Sequence, residues 1–173
     1  MGTNRDYYIN QYKQLHKKSK YGTSSGRQLL TPVQNLIDKI KPQSVLDYGC
    51  GQSDLYRLIR GVPHVVRYDP AIEGIDTLPE GEFDLVICTD VMEHIPEDTI
   101  DEVLKDLHRL GKTVYIVISC IEAYAKLPNG ENAHTTVKRP EWWVQHISEC
   151  WPSGAVYNFN RTGYVSGVLS KVK

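Results

Sequence analysis

The sequence predicts an α/β fold in one domain, a mostly parallel sheet with helices on both faces and an antiparallel hairpin at its C-terminal end. Three observations carry this expectation. Apolar runs of strand length at residues 44–48, 64–68, 83–89 and 113–119 alternate with helical patterns, as parallel strands covered on both faces require. The first run leads straight into Gly49-Cys50-Gly51, a turn of bare backbone. The last two runs, 155–159 and 164–171, meet around Asn160-Arg161-Thr162-Gly163, a hairpin signal. A chain of 173 residues with 40% apolar residues fills one core and is short for two.

Taken in order, residues 5–18 place Tyr8, Ile9, Tyr12 and Leu15 at helical spacing, which predicts an amphipathic helix lying over the core. Residues 1–30 therefore read as a cover segment and 31–173 as the domain proper. The stretch 21–26 reads as a loop. A helix is expected through Ile40, with Thr31 as its N-cap and Pro32 at its first position. Residues 54–60 read as a helix and 98–110 as an amphipathic helix stopped by Gly111. Between Asp69 and Phe83 there is no room for a full helix and strand, so a third strand at 74–77 has to be brief. Residues 141–150 complete the list as a helix.

Twenty basic and twenty-one acidic residues leave a net charge of −1, so no overall field draws the protein to nucleic acid or membrane. Arg5, Lys13, Lys17, Lys18, Lys20 and Arg27 nonetheless crowd the first stretch. Cys50, Cys88, Cys120 and Cys150 form no C-x-x-C pair and read as reduced core thiols, which suits a cytoplasmic protein. No apolar run approaches bilayer length, so no membrane partner is expected.

The segment Val45-Leu46-Asp47-Tyr48-Gly49-Cys50-Gly51 carries the chemistry. Glycines at such a turn let the backbone approach a ligand. A dinucleotide would want a third glycine at position 54, where Asp54 stands, and its diphosphate would be repelled by Asp47 and Asp54. S-adenosylmethionine, a sulfonium with an ammonium and no phosphate, suits acidic surroundings. Asp69 ends the second apparent strand, where a carboxylate can take both ribose hydroxyls.

The segments Leu46-Asp47-Tyr48-Gly49-Cys50-Gly51, Tyr68-Asp69-Pro70 and Phe83-Asp84-Leu85-Val86-Ile87-Cys88-Thr89-Asp90-Val91-Met92-Glu93-His94-Ile95 resemble, in order and spacing, the cofactor motifs of class I S-adenosylmethionine-dependent methyltransferases. The resemblance covers about residues 44–120, and the final hairpin fits that family's last two strands. It implies a Rossmann-like sheet and methyl transfer by direct displacement at the sulfonium. It also implies that Asp47, Gly49 and Gly51 surround the methionyl part, that Asp69 holds the ribose, that Asp90 closes the pocket beside the sulfonium, and that Asp76 is an adenine contact.

If a helical turn follows Thr89, then Asp90, Glu93 and His94 share a face and could hold a divalent metal, Mg or Mn, with His134 as fourth ligand. This resembles the metal site of small-RNA 3′-terminal 2′-O-methyltransferases, which pair a Glu-x-x-Glu-His run with a later histidine; Asp90 stands for the first glutamate. Glu-His-Ile also occurs in the superfamily without metal, packed under the cofactor. On that reading His94 or His134 is the general base, or proximity alone suffices. Two further pairs of readings stay open. Trp142 and Trp143 either wall an acceptor pocket or divide between core and surface, and Tyr8, Tyr12 and Tyr21 form either a lid or an ordinary cover. The expected acceptor is a small hydroxylated or amine metabolite; the alternatives are an RNA or nucleotide 3′ end, and cofactor binding without catalysis.

Overall fold

The computed structural model describes residues 3–23, 25–152, 154–160 and 163–171. Arg161 and Thr162 of the expected hairpin turn, and Ser24 of the expected loop, lie outside them. Six strands form one sheet: β1 (Ser44–Tyr48), β2 (His64–Tyr68), β3 (Phe83–Thr89), β4 (Gly111–Ser119), β5 (Ala155–Asn160) and β6 (Tyr164–Ser170). Their spatial order is β2-β1-β3-β4-β6-β5, with the first four parallel and β6 antiparallel to both its neighbours. The helices are α1 (Asn4–Lys18), α2 (Ser25–Gln28), α3 (Leu30–Ile40), α4 (Leu55–Leu58), α5 (Ile100–Leu110) and α6 (Pro140–Cys150).

Alternate residues of the central strands face opposite layers, which explains why the strands are apolar on both sides. Val45, Leu85 and Ile87 pack against Val33 and Ile37 of α3 and Leu55 of α4. Leu46, Val86, Cys88, Val114 and Ile116 pack on the other face with α5, α6 and the aromatic Trp143. From α5, Ile100, Val103, Leu104, Leu107 and Leu110 are buried. Each such side chain contributes about 1.5–3 kcal/mol of apolar burial, which holds a helix that solvent alone would not.

Three local expectations are corrected. The segment 54–60 is helical only over Leu55–Leu58. The cause is a side chain from another helix: Gln34 of α3 accepts from the Arg60 amide (2.9 Å) and donates to its carbonyl (3.2 Å), drawing the chain out of the helix. Thr31 is not an N-cap, because α3 already begins at Leu30 behind the helical turn α2. No strand forms at 74–77; the Asp69 amide donates to the Ile75 carbonyl (2.9 Å), so this stretch closes on itself and β2 stays at the sheet edge. Asp76 is exposed and lies 4.0 Å from Lys13. Among the described residues no helix is long and apolar enough to cross a membrane.

From β1 the chain passes to β2 on one side, whereas from β3 it passes to β4 on the other. The divergence leaves a crevice outside the carboxyl ends of β1 and β3, where doubly wound sheets bind ligands.

Candidate active site

A cavity of about 350 Å³ occupies that crevice. Its floor is the turn after β1. Gly49 and Gly51 hold φ of 68° and 52°, and a Cβ on Gly49 would meet Val91 Cγ2 at 2.5 Å. Only glycine fits there without strain. Asp69 ties the turn to the end of β2: one carboxylate oxygen accepts from the Gly51 amide and the other from the Ala71 amide, both at 2.8 Å. Each oxygen keeps capacity to accept a second hydrogen bond, and Asp69 lines the cavity.

Asp47 is placed differently. It lies buried beneath the turn and is not among the lining residues, and its Oδ2 has no partner among the described residues. Burial pushes its carboxyl up to about 7, against the opposing pull of Arg67. Asp54 does not line the cavity either, since Arg27 pairs with it at 2.5 Å. The roof is α1, whose Arg5, Tyr8, Ile9, Tyr12 and His16 line the cavity together with Tyr21. Polar contacts fasten this roof to the loop after β4: the Tyr8 hydroxyl donates to Glu131 (2.8 Å) and the Tyr12 hydroxyl to the Ala133 carbonyl (2.7 Å).

The wall between floor and roof begins at Asp90, where a left-handed backbone (φ 54°) turns the chain from β3 into a 3-10 turn, Met92–His94. Such a conformation is strained for a non-glycine residue and tends to occur at functional sites. Burial raises the Asp90 carboxyl. Ligand atoms of Glu93, His94 and His134 all lie within 4.8 Å of one another, and Asp90 stands outside this set, ahead of the turn that carries the other two.

The three side chains are arranged by backbone. His94 Nδ1 donates to the Ala133 carbonyl and His134 Nδ1 to the Ile121 carbonyl, both at 2.6 Å. A carbonyl only accepts, so each ring carries its proton on Nδ1 and exposes the Nε2 lone pair. The Tyr21 hydroxyl stands 3.5 Å from His94 Nε2. Glu93 is fully buried; its Oε1 accepts from the Ser119 amide (3.0 Å), while Oε2 has no partner among the described residues. Burial first, then the nearby Asp90, pushes Glu93 up to about 8. Burial pushes His94 down to about 3 and lowers His134 as well, so both rings stay neutral near neutral pH.

Two imidazoles and a buried carboxylate with ligand atoms within 4.8 Å of one another form a donor set suited to a divalent cation, with each Nδ1–H held by a carbonyl as metal-bound histidines usually are. The residues present therefore fit the metal that the sequence pattern implies.

Neither tryptophan walls the cavity. Trp143 is fully buried in the core, and Trp142 stacks on His146 at 3.8 Å with Lys138 over its ring. Residues that the sequence reading did not single out are Tyr164 and Ser119, which line the cavity, and Asn132, which shapes its wall. Only Asn132 had a local signal, its place two residues before His134 in a polar loop.

A parallel sheet reversed at its last strand, with a glycine-floored cavity at the switch point, defines a class I methyltransferase fold. The chain belongs to the family described as methyltransferase domain, whose model matches residues 21–159, and is an S-adenosylmethionine-dependent methyltransferase. Solved structures agree in fold. A Burkholderia thailandensis 1,6-didemethyltoxoflavin-N1-methyltransferase, with its substrate and S-adenosylhomocysteine bound, is 13% identical with TM-score 0.66, covering 100% of this chain and 92% of that one. The methyltransferase domain of a bacterial CtHen1 is 19% identical with TM-score 0.60, covering 84% and 98%. The N-terminal domain of EvdMO1, with S-adenosylhomocysteine and D-fucose, is 10% identical with TM-score 0.58, covering 99% and 98%. No curated protein sequence matches this chain.

Proposed function

We propose that this enzyme transfers the methyl group to a hydroxyl of a small polyhydroxylated molecule held against Glu93, His94 and His134 beneath α1. The observation that carries this reading is the convergence of Glu93, His94 and His134, whose ligand atoms lie within 4.8 Å of one another and which all line the cavity beneath α1. In this reading Gly49 and Gly51, with Asp47 beneath them, surround the methionyl part of the cofactor, Asp69 takes the ribose hydroxyls, and Asp90 lies beside the sulfonium.

A histidine held near pKa 3 is a poor proton acceptor at neutral pH but an available lone pair, so His94 acts as an anchor rather than a general base. Glu93, His94 and His134 would hold a Mg or Mn ion. Such an ion lowers the pKa of a bound hydroxyl and fixes its direction. The protein's own part is to orient: the loop carbonyls aim the rings, the glycine turn seats the donor, and α1 shuts out water. A cavity of about 350 Å³ partly covered by α1 favours a compact acceptor, and one neighbour in fold was solved with D-fucose.

Transfer of radiolabelled methyl from S-adenosylmethionine into cell extract, separated into small-molecule, protein and nucleic-acid fractions, tests this. Label is expected in the small-molecule fraction with Mg or Mn and should vanish with a chelator. Label in RNA, unchanged labelling under chelation, or no labelling beside intact cofactor binding would each overturn it.

A further inference from the structure

The two histidines owe their shared tautomer to carbonyls on opposite limbs of the loop after β4, Ile121 on the outgoing limb and Ala133 on the returning one. Something has to hold those limbs in register. The side chain of Asn132 does so with three hydrogen bonds. Its Oδ1 accepts from the amides of Ala123 (2.9 Å) and His134 (2.8 Å), and its Nδ2 donates to the Ala123 carbonyl (2.9 Å). Around it the limbs are otherwise joined by the Ala133 amide donating to the Ala125 carbonyl (3.0 Å) and the Leu127 amide to Glu131 (2.8 Å), both nearer the loop tip.

We propose that Asn132 is a positioning residue whose side chain clasps Ala123 to His134, so that the Ile121 and Ala133 carbonyls hold both imidazoles as Nδ1–H tautomers with Nε2 facing the cavity. The short amide side chain is the one residue type that supplies a double acceptor and a donor at this length. An aspartate in its place would lose the donor and set a carboxylate oxygen against the Ala123 carbonyl; an alanine would lose all three bonds. With the clasp gone, the Ile121 carbonyl drifts from His134 first, since His134 is itself one of the clasped pair and Ile121 lies just ahead of the other, Ala123. His94 follows through the shift of Ala133, whose carbonyl also binds Tyr12 of the roof. Asn132 touches neither histidine ring, so its effect is one of aim. The same limbs present His134 to Glu93 and His94, and the proposal rests on the reading that these three act together on the acceptor.

The test is the ring nitrogen signature in long-range 1H–15N NMR of the full chain, with Mn2+ and S-adenosylhomocysteine binding measured in parallel. Wild type is expected to show Nδ1–H for both His94 and His134. Asn132→Ala should give a mixture with substantial Nε2–H at His134 and about ten- to hundredfold weaker Mn2+ binding, the usual loss when an outer partner of a ligand goes. Its S-adenosylhomocysteine affinity should stay within about twofold of wild type. Asn132→Asp keeps the two accepted bonds and should shift His134 in the same direction by less, so it decides the matter should the alanine variant not fold. Asn129→Ala, in the same loop but outside the clasp, should leave both tautomers as they are. Unchanged tautomers in Asn132→Ala or Asn132→Asp overturn the proposal, whether or not Mn2+ binds. A wild type that shows the two Nδ1–H tautomers but never binds Mn2+ overturns the metal-held acceptor instead and leaves the tautomer result to judge Asn132.

Discussion

Replacing Gly49 by alanine is the sharpest perturbation of the cofactor floor. Two separable penalties apply. A left-handed alanine costs about 1–2 kcal/mol, and Gly49 sits at φ 68°. The new Cβ would lie 2.5 Å from Val91 Cγ2 and 2.7 Å from Cγ1, and forcing a methyl into a packed site costs about 1–3 kcal/mol. The expected loss is therefore about 2–5 kcal/mol, read by urea unfolding. Gly61 separates the two contributions: it has φ 76° and nothing within 4 Å of its would-be Cβ, so Gly61→Ala should show the backbone penalty alone. Val91→Ala, combined with Gly49→Ala in a double-mutant cycle, should recover part of the crowding and give a coupling above about 0.5 kcal/mol. Affinity for S-adenosylhomocysteine, by calorimetry, should drop more than tenfold in Gly49→Ala and stay unchanged in Gly61→Ala. Equal losses at the two glycines, or no coupling to Val91, would refute the claim that close approach at this turn is what demands glycine.

Three other outcomes are expected. Asp69→Asn can keep only one of the two accepted bonds and leaves an amide unpaired, about 1–3 kcal/mol; calorimetry should show S-adenosylhomocysteine affinity reduced at least tenfold, and an unchanged value would remove Asp69 from the ribose. Asp47 titrates near 7 when folded and near 3.9 when unfolded, so the folded state holds the extra proton between those values and stability falls as pH rises through that window, by something on the order of 4 kcal/mol. Asp47→Asn should accordingly flatten the fall in melting temperature between pH 5 and 8, and an equally steep profile in the variant would contradict the assignment. Glu93→Gln keeps the acceptor for the Ser119 amide while removing a buried charge; it should unfold no earlier than wild type at pH 9 yet lose Mn2+ binding at least a hundredfold by titration, whereas a large drop in melting temperature would mark Glu93 as structural.

Much of the architecture was legible in local pattern. The bounds of β1 and β3 follow their apolar runs to the residue, because a strand buried on both faces needs a largely apolar run, and the edge strand β2 is likewise bounded as its pattern predicts. Four of the five buried hydrophobic positions of α5, Ile100, Val103, Leu104 and Leu107, and the glycines after β1 were likewise visible, since periodicity and a forced left-handed turn are properties of a few neighbouring residues. Pattern overreached where a distant partner intervened. Gln34 cuts the 54–60 helix short, and the Asp69–Ile75 bond replaces a strand with a closed loop. The tryptophans were undecided in sequence because burial of a given helix face depends on what lies across from it.

What the sequence by itself determined, then, was the layering of helices on a sheet, the strands that form it, though not the absence of one at 74–77, the glycine floor and the residue types able to serve a positively charged cofactor. Only the tertiary structure decided that His94 and His134 converge with Glu93 while Asp90 stands apart, and that both rings share one tautomer. The physical reason is range. Helical and strand periodicities are written in neighbours, but the direction of a lone pair is set by a carbonyl that packing brings in from dozens of residues away, and no local pattern encodes which one arrives.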